Sequence, residues 1–239
     1  MINDEAELLT HVTSANIACG GHAGDAGSMR RTIRLSKERG VTIGAHPSFA
    51  DRIGFGRREI EVTREDVEAL VACQIERLIK IAWTEHAQVL HVKPHGALYN
   101  AAARNRDVAG AIARAVASVD TGLTLYGLSG SVLLDAGRDA GLAVASEVFA
   151  DRAYMSDGSL RSRLQPGAVL NDPDIVVARV VRMVTEGTVV AFDGTVVNLS
   201  ADTICVHSDT SGASNLAQRL HFGLEVAGIR VTALNAPEA

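Results

Sequence analysis

The chain has 239 residues, 47% of them hydrophobic and only 4% aromatic, with a formal net charge of −5. That length fits one α/β domain whose core is mostly Ala, Val, Leu and Ile, a composition suited to parallel strands under helices. The acidic balance argues against a nucleic-acid footprint, and no basic run or long apolar span points to a membrane.

Three cysteines, Cys19, Cys73 and Cys205, are widely spaced and form no CxxC. A disulfide scaffold or zinc ribbon is therefore not expected, and a reducing compartment is the simplest reading. The start carries no charged segment followed by an apolar one, so the expectation is a soluble, cytoplasmic protein.

Asp4 to His11 reads as a short helix, followed by a small-residue strand through Ile17-Ala18-Cys19 that ends in Gly20-Gly21-His22. Asp25 is a plausible N-cap, and Met29, Ile33 and Leu35 keep helical spacing up to Gly40. Val41 to Ala45 is the next strand, ending in His46-Pro47-Ser48. A polar loop from Asp51 to Arg58 follows. Thr63 opens a long helix with an apolar stripe of Val67, Leu70, Val71, Ile75, Leu78, Ile79 and Ala82. Val89-Leu90 leads into a central strand that runs on as His91-Val92-Lys93-Pro94-His95-Gly96. Side chains alternate along a strand, which places His91, Lys93 and His95 on one face. Pro94 marks where pairing stops.

Asp107 to Val119 reads as a helix, Leu123 to Leu128 as a strand, Ser131 to Ala140 as a helix, and Ala143 to Ala150 as a strand. Tyr154 to Asp172 is loop-like. Pro173 starts a helix that stops at Gly187. Asp193-Gly194 between two apolar runs signals a hairpin. Thr203 to Val206 is a strand ending in His207-Ser208-Asp209, and Ser211 to Ala227 is the last helix. Ile229 to Thr232 is expected as a terminal strand. The alternation implies parallel strands joined by helical crossovers, with six principal strands and no linker, hence a single domain over 1–239.

The chemistry gathers at strand ends. His22, His46, His95, Asp151 and the His207/Asp209 pair all follow predicted strands, where α/β proteins place catalytic or binding groups. Lys93 suits an oxyanion or an anionic substrate, or else a structural pair with Glu147 or Asp151. His95 is the preferred general acid/base, since imidazole titrates near neutral pH. His91 reads as a hydrogen-bonded core histidine. Glu147, flanked by apolar residues, must be paired or have a raised pKa, and serves as a base or as a partner of Lys93. Asp151 and Arg152 form either a substrate clamp or a self-paired loop anchor. Arg57 and Arg58 read as solvated, and Cys19 and Cys205 as small core residues. His22 and His46 would be an incomplete ligand set for a divalent metal, without the spacing that marks a metal motif. Neither GxxxxGK[ST] nor GxGxxG after a strand is present, so phosphate chemistry would lie on a different polypeptide.

The stretches 13–20, 44–48, 91–100, 147–152 and 203–207 (TSANIACG, GAHPS, HVKPHGALYN, EVFADR and TICVH) resemble the LamB/YcsF family. The resemblance covers the chain from about Asp4 to the last helix. It implies an incomplete seven-stranded βα barrel of the deacetylase-like kind. The implied activity is ATP-dependent opening of 5-oxo-L-proline to L-glutamate by a hydrolase of three subunits, in which this chain is the A component and works with subunits B and C. ATP is then a co-substrate of the complex. Lys93, His95 and Glu147 are the expected catalytic groups. His46, Asp151, Arg152, His207 and Asp209 are the expected substrate-binding groups. The alternatives are a metal-dependent deacetylase of the same barrel, or a non-catalytic component that only binds a small acid. Gly21 stands where the family usually has Phe, and Ser208 where it has Gly. No counterpart of the family's acidic opening strand precedes Asp4, so the expectation is a barrel lacking its first strand.

Overall fold

The computed structural model describes residues 2–208 and 212–234. The chain packs as two compact units. The first holds residues 14–127 and 131–145; the second holds 2–13, 128–130, 146–208 and 212–234. The division runs through two strands, at 124–128 and 144–149.

The first unit starts with β1 (Ser14–Ala18), α2 (Ala26–Glu38; α1, Ile2–Leu8, lies in the second unit), β2 (Thr42–His46) and α3 (Arg64–Thr84). It continues with β3 (Val89–Val92), α4 (Gly96–Arg104), α5 (Arg106–Val119), β4 (Thr124–Leu128), α6 (Val132–Asp139) and the start of β5 (Val144–Phe149). Local chemistry sets the helix starts. Asp25 with Ser28, and Thr63 with Asp66, form reciprocal capping boxes that satisfy two backbone donors each. Along α3, Val67, Val71, Ile75, Leu78 and Ala82 are buried, as the stripe demands. They pack into one cluster with Ile33, Val92, Leu98, Ile112 and Leu125.

The second unit contains α1 (Ile2–Leu8), the end of β5, α7 (Pro173–Thr185), β6 (Thr188–Val190), β7 (Val196–Asn198), β8 (Thr203–Cys205) and α8 (Ala213–Val226). Pro173 opens α7 behind the Asp172 cap. The hairpin β6–β7 is antiparallel and turns through Gly194 at φ 89°.

Neighbouring strands follow the order β1-β2-β3-β4-β5-β8, and the pairs β1–β2, β2–β3, β3–β4 and β5–β8 run parallel. Within the first unit the Leu125 amide donates to the Ala143 carbonyl; within the second the Ser129 amide donates to that of Glu147. The series is linear, from β1 to β8, so the fold is α/β with an open parallel sheet.

Two expectations change. The expected terminal strand at 229–232 does not form: this segment has no regular structure, and the Ile229 amide instead closes the end of α8 on the Leu224 carbonyl. The central strand ends at Val92, so Lys93 and Pro94 lie beyond it, and His95 is the N-cap of a helix, α4, that the sequence pattern does not announce. Gly96, at φ 58°, makes that abrupt change of direction feasible.

Candidate functional site

In the first unit the ends of β1, β2 and β3 bring three imidazoles together. His22 and His95 stack with ring centroids 3.8 Å apart, and His46 meets both edge-on at 5.7 and 4.8 Å. Each ring is placed by backbone chemistry. His22 Nδ1 lies 2.8 Å from Ser48 Oγ, and that hydroxyl donates to the Phe49 carbonyl, so His22 is the donor. Ser48 is itself clamped by Gln74 of α3, which accepts from its amide and donates to its carbonyl. Gly21 leaves room for this clamp: a Cβ there would lie 2.6 Å from both Gln74 Oε1 and Ser48 Oγ.

His46 and His95 form a chain between two carbonyls. His46 Nδ1 lies 2.6 Å from the Lys93 oxygen, His46 Nε2 lies 2.9 Å from His95 Nδ1, and His95 Nε2 lies 2.9 Å from the Phe55 oxygen. A carbonyl only accepts. A neutral His46 must therefore carry its proton on Nδ1, and a neutral His95 carries a single proton, on Nδ1 towards His46 or on Nε2 towards the Phe55 oxygen. Three contacts share two protons, and one place for a further proton remains.

Electrostatics favour the neutral rings. Burial, then the charges of neighbouring groups, holds His46 well below the ordinary imidazole value. Burial, with His22 and the cations Arg57 and Lys93 nearby, pushes His95 down to about 3. Burial with Arg57 and Arg52 brings His22 down to about 4.

The loop from Asp51 to Arg58 closes over these rings. Phe55 has φ 53°, a left-handed conformation that costs a non-glycine residue on the order of 1–3 kcal/mol. Its ring packs edge-on against His22 and His95. The loop is held by three ties. Asp51 is buried and pairs with Arg58; Arg52 donates to the Gly20 and Gly24 carbonyls; the Gly56 carbonyl accepts from the Ala97 amide of α4. A Cβ on Gly56 would lie 2.9 Å from His22 Cβ. Arg58 is thus paired within the loop, while Arg57 stacks over Phe55 at 5.1 Å. Sequence reasoning missed Phe55, Ser48 and Gln74. The two glycines flanking Phe55 are the visible sign of a tight turn.

Lys93 is 4% exposed, with Nζ 5.7 Å from the Tyr99 ring and its amide donating to the Ala45 carbonyl. His91 is the core histidine expected. Its Nε2–H donates to Asn16 Oδ1 at 3.0 Å and its ring stacks on Tyr126. Burial and the Lys93 charge push it down to about 3.

As arranged, these residues do not fit a metal. Both ring nitrogens of His46 face hydrogen-bond partners and His22 Nδ1 is spent on Ser48. No group of three His, Cys, Asp or Glu side chains among the described residues is disposed to hold an ion.

In the second unit the ends of β5 and β8 carry a second group. Asp151 is buried, and His207 Nδ1 lies 3.0 and 3.2 Å from its two carboxylate oxygens. His207 Nε2 points to Cys205 Sγ at 4.0 Å, and the imidazole stacks on Phe149. Burial opposes charge on His207, but negative charge at Cys205 and the Asp151 bond outweigh it and push it up to about 9. For Asp151 too, burial is outweighed by the His207 bond, and its carboxyl lies below the usual value. Arg152 is spent on structure here, donating to the Ala168 and Arg161 carbonyls of the following loop. Arg179 donates to the Phe149 and Ala150 carbonyls. Glu147 is 2% exposed on β5, in register with Thr203. Asp209 lies outside the described residues.

No helix among the described residues is long and apolar enough to cross a membrane. The LamB/YcsF family profile matches residues 1–239. A Chloroflexus aggregans protein named as the A component of 5-oxoprolinase is 53% identical over 230 residues, 96% of this chain and 91% of that one. The Bacillus subtilis protein of the same name is 48% identical over 231 residues, 97% and 90% of the two chains. The crystal structure of a lactam utilization protein from Thermus thermophilus superposes with a TM-score of 0.90 at 44% identity, covering 96% of this chain and 92% of that one. With a family match over the whole sequence and relatives near half identity, the chain belongs to the LamB/YcsF family.

Proposed function

We propose that the chain is the A component of a 5-oxoprolinase, a hydrolase that opens the cyclic amide of 5-oxo-L-proline to L-glutamate with ATP hydrolysis, working with subunits B and C. The observation that carries this reading is the near-complete, roughly half-identical match to proteins named as that component of 5-oxoprolinase. The open parallel sheet is compatible with an incomplete seven-stranded βα barrel, and we adopt that architecture with the reading.

A lactam resists hydrolysis because its amide is resonance-stabilised, so opening it calls for a base on water, a positive group at the carbonyl oxygen and a proton for the leaving nitrogen. His95 is assigned as the base. A proton taken up by a neutral His95 would complete the one contact of the His46–His95 chain that lacks one, and His46 holds the ring in place, as an orienting partner does for a base. Lys93 is assigned to the developing negative charge at the carbonyl oxygen, where a desolvated ammonium acts strongly. In the second unit Glu147 is assigned to proton transfer. Asp151, His207 and Asp209 are assigned to substrate binding, His207 contributing positive charge and Asp151 holding it, while Arg152 anchors the loop that follows Asp151. ATP is consumed by the complex; this chain has no phosphate-binding glycine motif of the P-loop kind.

The test is release of glutamate from 5-oxoproline and ATP by the purified chain mixed with subunits B and C, against each mixture lacking one component. Release only from the full mixture is expected. No release from any mixture, with all three proteins folded, overturns the reading.

A further inference from the structure

We infer that Cys205, His207 and Asp151 form a thiol nucleophile with its base and orienting carboxylate, and that the electrophile is the activated carboxyl carbon of an acyl phosphate. The inference deepens the 5-oxoprolinase reading and rests on it for the identity of the acyl group, γ-glutamyl.

The geometry comes first. Cys205 is the last residue of β8 and His207 lies two residues on, while Asp151 follows the paired strand β5. Parallel pairing puts Cys205 in register with Phe149, and Asp151 lies two residues beyond Phe149. One edge of the His207 ring is 3.0 Å from Asp151 and the other is 4.0 Å from Cys205 Sγ. This is the order nucleophile, base, orienter that activated thiols use, at the looser spacing common without substrate. The His207 side chain is 20% exposed and that of Asp151 only 1%, so the carboxylate lies at the closed end of the row.

The surroundings favour a charged pair. The Asp151 carboxylate fixes positive charge on His207, and an imidazolium next to a thiol favours the thiolate. Ionisable groups facing this set include Arg163 in the following loop and Arg179 on α7, which add positive charge at Asp151, and Tyr154, which interacts with Cys205, Arg179 and Glu147 of β5. Tyr154 is kept neutral, its pKa raised by burial, and its hydroxyl accepts from the Phe149 amide. Cys19 provides a contrast within the same chain. It too is buried, but its thiol donates to the Ile17 carbonyl, and burial pushes it up to about 12.

If ATP first transfers its phosphoryl group to the lactam oxygen, with ADP leaving, then addition of water to that carbon and cleavage of the C–N bond give a γ-acyl phosphate and a free amine, and the acyl phosphate is left to be broken. In the step assigned here, Cys205 Sγ bonds to the acyl carbon and the bond from that carbon to the phosphate oxygen breaks. Phosphate leaves with the electron pair and takes the proton of His207. Water then adds to the thioester carbon, giving one proton to the now neutral His207. The C–S bond breaks, and carboxylate and thiolate are restored as the acid proton goes to solvent. A thiolate replaces water as the first acceptor because it is the better nucleophile at neutral pH.

The experiment has two arms. In the first, the full-length chain carrying Cys73→Ser, which removes the exposed thiol, is treated with iodoacetamide from pH 5 to 9 and the modified cysteine is located by peptide mass. Cys205 is expected to be alkylated across this range. Adding His207→Asn should slow that reaction at least ~10-fold. In the second arm, the complete enzyme turning over 5-oxoproline and ATP is quenched in acid. A glutamyl adduct is expected on Cys205, removed by hydroxylamine. Cys205→Ala and Cys205→Ser should both lose the adduct and ~100-fold or more of glutamate release.

A Cys205 thiol that is not alkylated, or one indifferent to His207→Asn, overturns the inference. So does wild-type glutamate release by Cys205→Ala. If the wild-type complex releases no glutamate, the 5-oxoprolinase reading falls, and with it the γ-glutamyl acyl group; the alkylation arm still decides the activated thiol.

Discussion

His95 Nε2 lies 2.9 Å from the carbonyl oxygen of Phe55, a residue held at φ 53°, while His95 Nδ1 is committed to His46. Two neutral rings cannot fill all three contacts of the chain that runs from the Lys93 to the Phe55 carbonyl. The vacant proton position belongs to the His46–His95 pair, so uptake of a proton by His95 completes the chain. His95→Gln keeps a side chain that both donates and accepts but cannot take up a proton. We expect glutamate release by the complex to fall by about 10²–10⁴-fold, the range for a general base, with the melting temperature little changed. A variant with wild-type turnover would remove His95 from the reaction.

Lys93 lowers the pKa values of His46, His91 and His95 through its charge, although burial is the larger cause in all three. Lys93→Met keeps most of the side-chain volume and deletes the charge. Turnover should drop about 100-fold or more if the charge stabilises an oxyanion. By NMR titration His91 should move up from about 3 yet stay under 6.5, because burial persists. An unchanged His91 titration would show that the two groups do not interact.

Gly44 is where β2 makes way for His91. A Cβ on Gly44 would lie 2.1 Å from His91 Nε2, too close for any side chain to exist there without movement. Gly44→Ala should destabilise the chain by about 1–3 kcal/mol, the usual size of an overpacking penalty. In a double-mutant cycle, His91→Ala should recover part of that loss, since the two sites touch. Urea melts measure both. Additive effects would mean that the clash is relieved elsewhere.

Much of this fold is legible in the residues. The capping residues Asp25 and Thr63, the Pro173 start of α7 and the Asp193-Gly194 turn are local signals, and each opens or joins the element it announces. Helix α4 is built from good helix formers, Ala97, Leu98 and Ala101 to Arg104, but it follows Pro94 and Gly96 directly and has no capping side chain, and its start is set by the bond from the Ala97 amide to the Gly56 carbonyl. The histidines are visible as strand-end residues, but not their mutual contacts. Those depend on the Phe55 carbonyl and on Ser48 and Gln74, which reach the site through a loop and a distant helix. Cys205 is obscure for a related reason. Two-residue spacing from His207 shows that they can share a face, but burial of a small thiol reads the same whether it packs or reacts.

Stability should decline on both sides of neutral pH, for opposite reasons. His22, His91 and His95 have folded pKa values of about 4, 3 and 3, below the 6.5 of a free imidazole. A depressed value means that the folded state resists the proton that the unfolded chain takes up. Their contribution is full above about 6.5 and is lost as pH falls towards the folded values, by up to about 1.4 kcal/mol per pH unit for each proton. His207 has the opposite sign, with a folded value raised to about 9. Its contribution is full below about 6.5 and is lost as pH rises to about 9. Urea melts from pH 4 to 10 should show both limbs, and His207→Asn should flatten only the alkaline one. An alkaline limb unchanged in that variant would show that His207 is not the group responsible.

The purified chain alone should hydrolyse neither ATP nor 5-oxoproline at a useful rate. A nucleotide needs backbone amides around its phosphates and a lysine or metal ion at the transferred group. The sequence lacks the glycine-rich loop with Lys-Ser/Thr that supplies the first. The buried lysine of the first unit, Lys93, has Nζ beside the Tyr99 ring. No cluster among the described residues is arranged to hold a metal ion. Without activation, the lactam carbon remains a poor electrophile for a water held by His95. Addition of subunits B and C should therefore raise glutamate release and couple it to ADP formation, with each product absent when 5-oxoproline or ATP is left out. Measurement of both products in the same reaction checks the coupling. Robust ATP turnover by the single chain, persisting through purification steps that remove contaminating ATPases, would show that a phosphate site exists here without the expected motif.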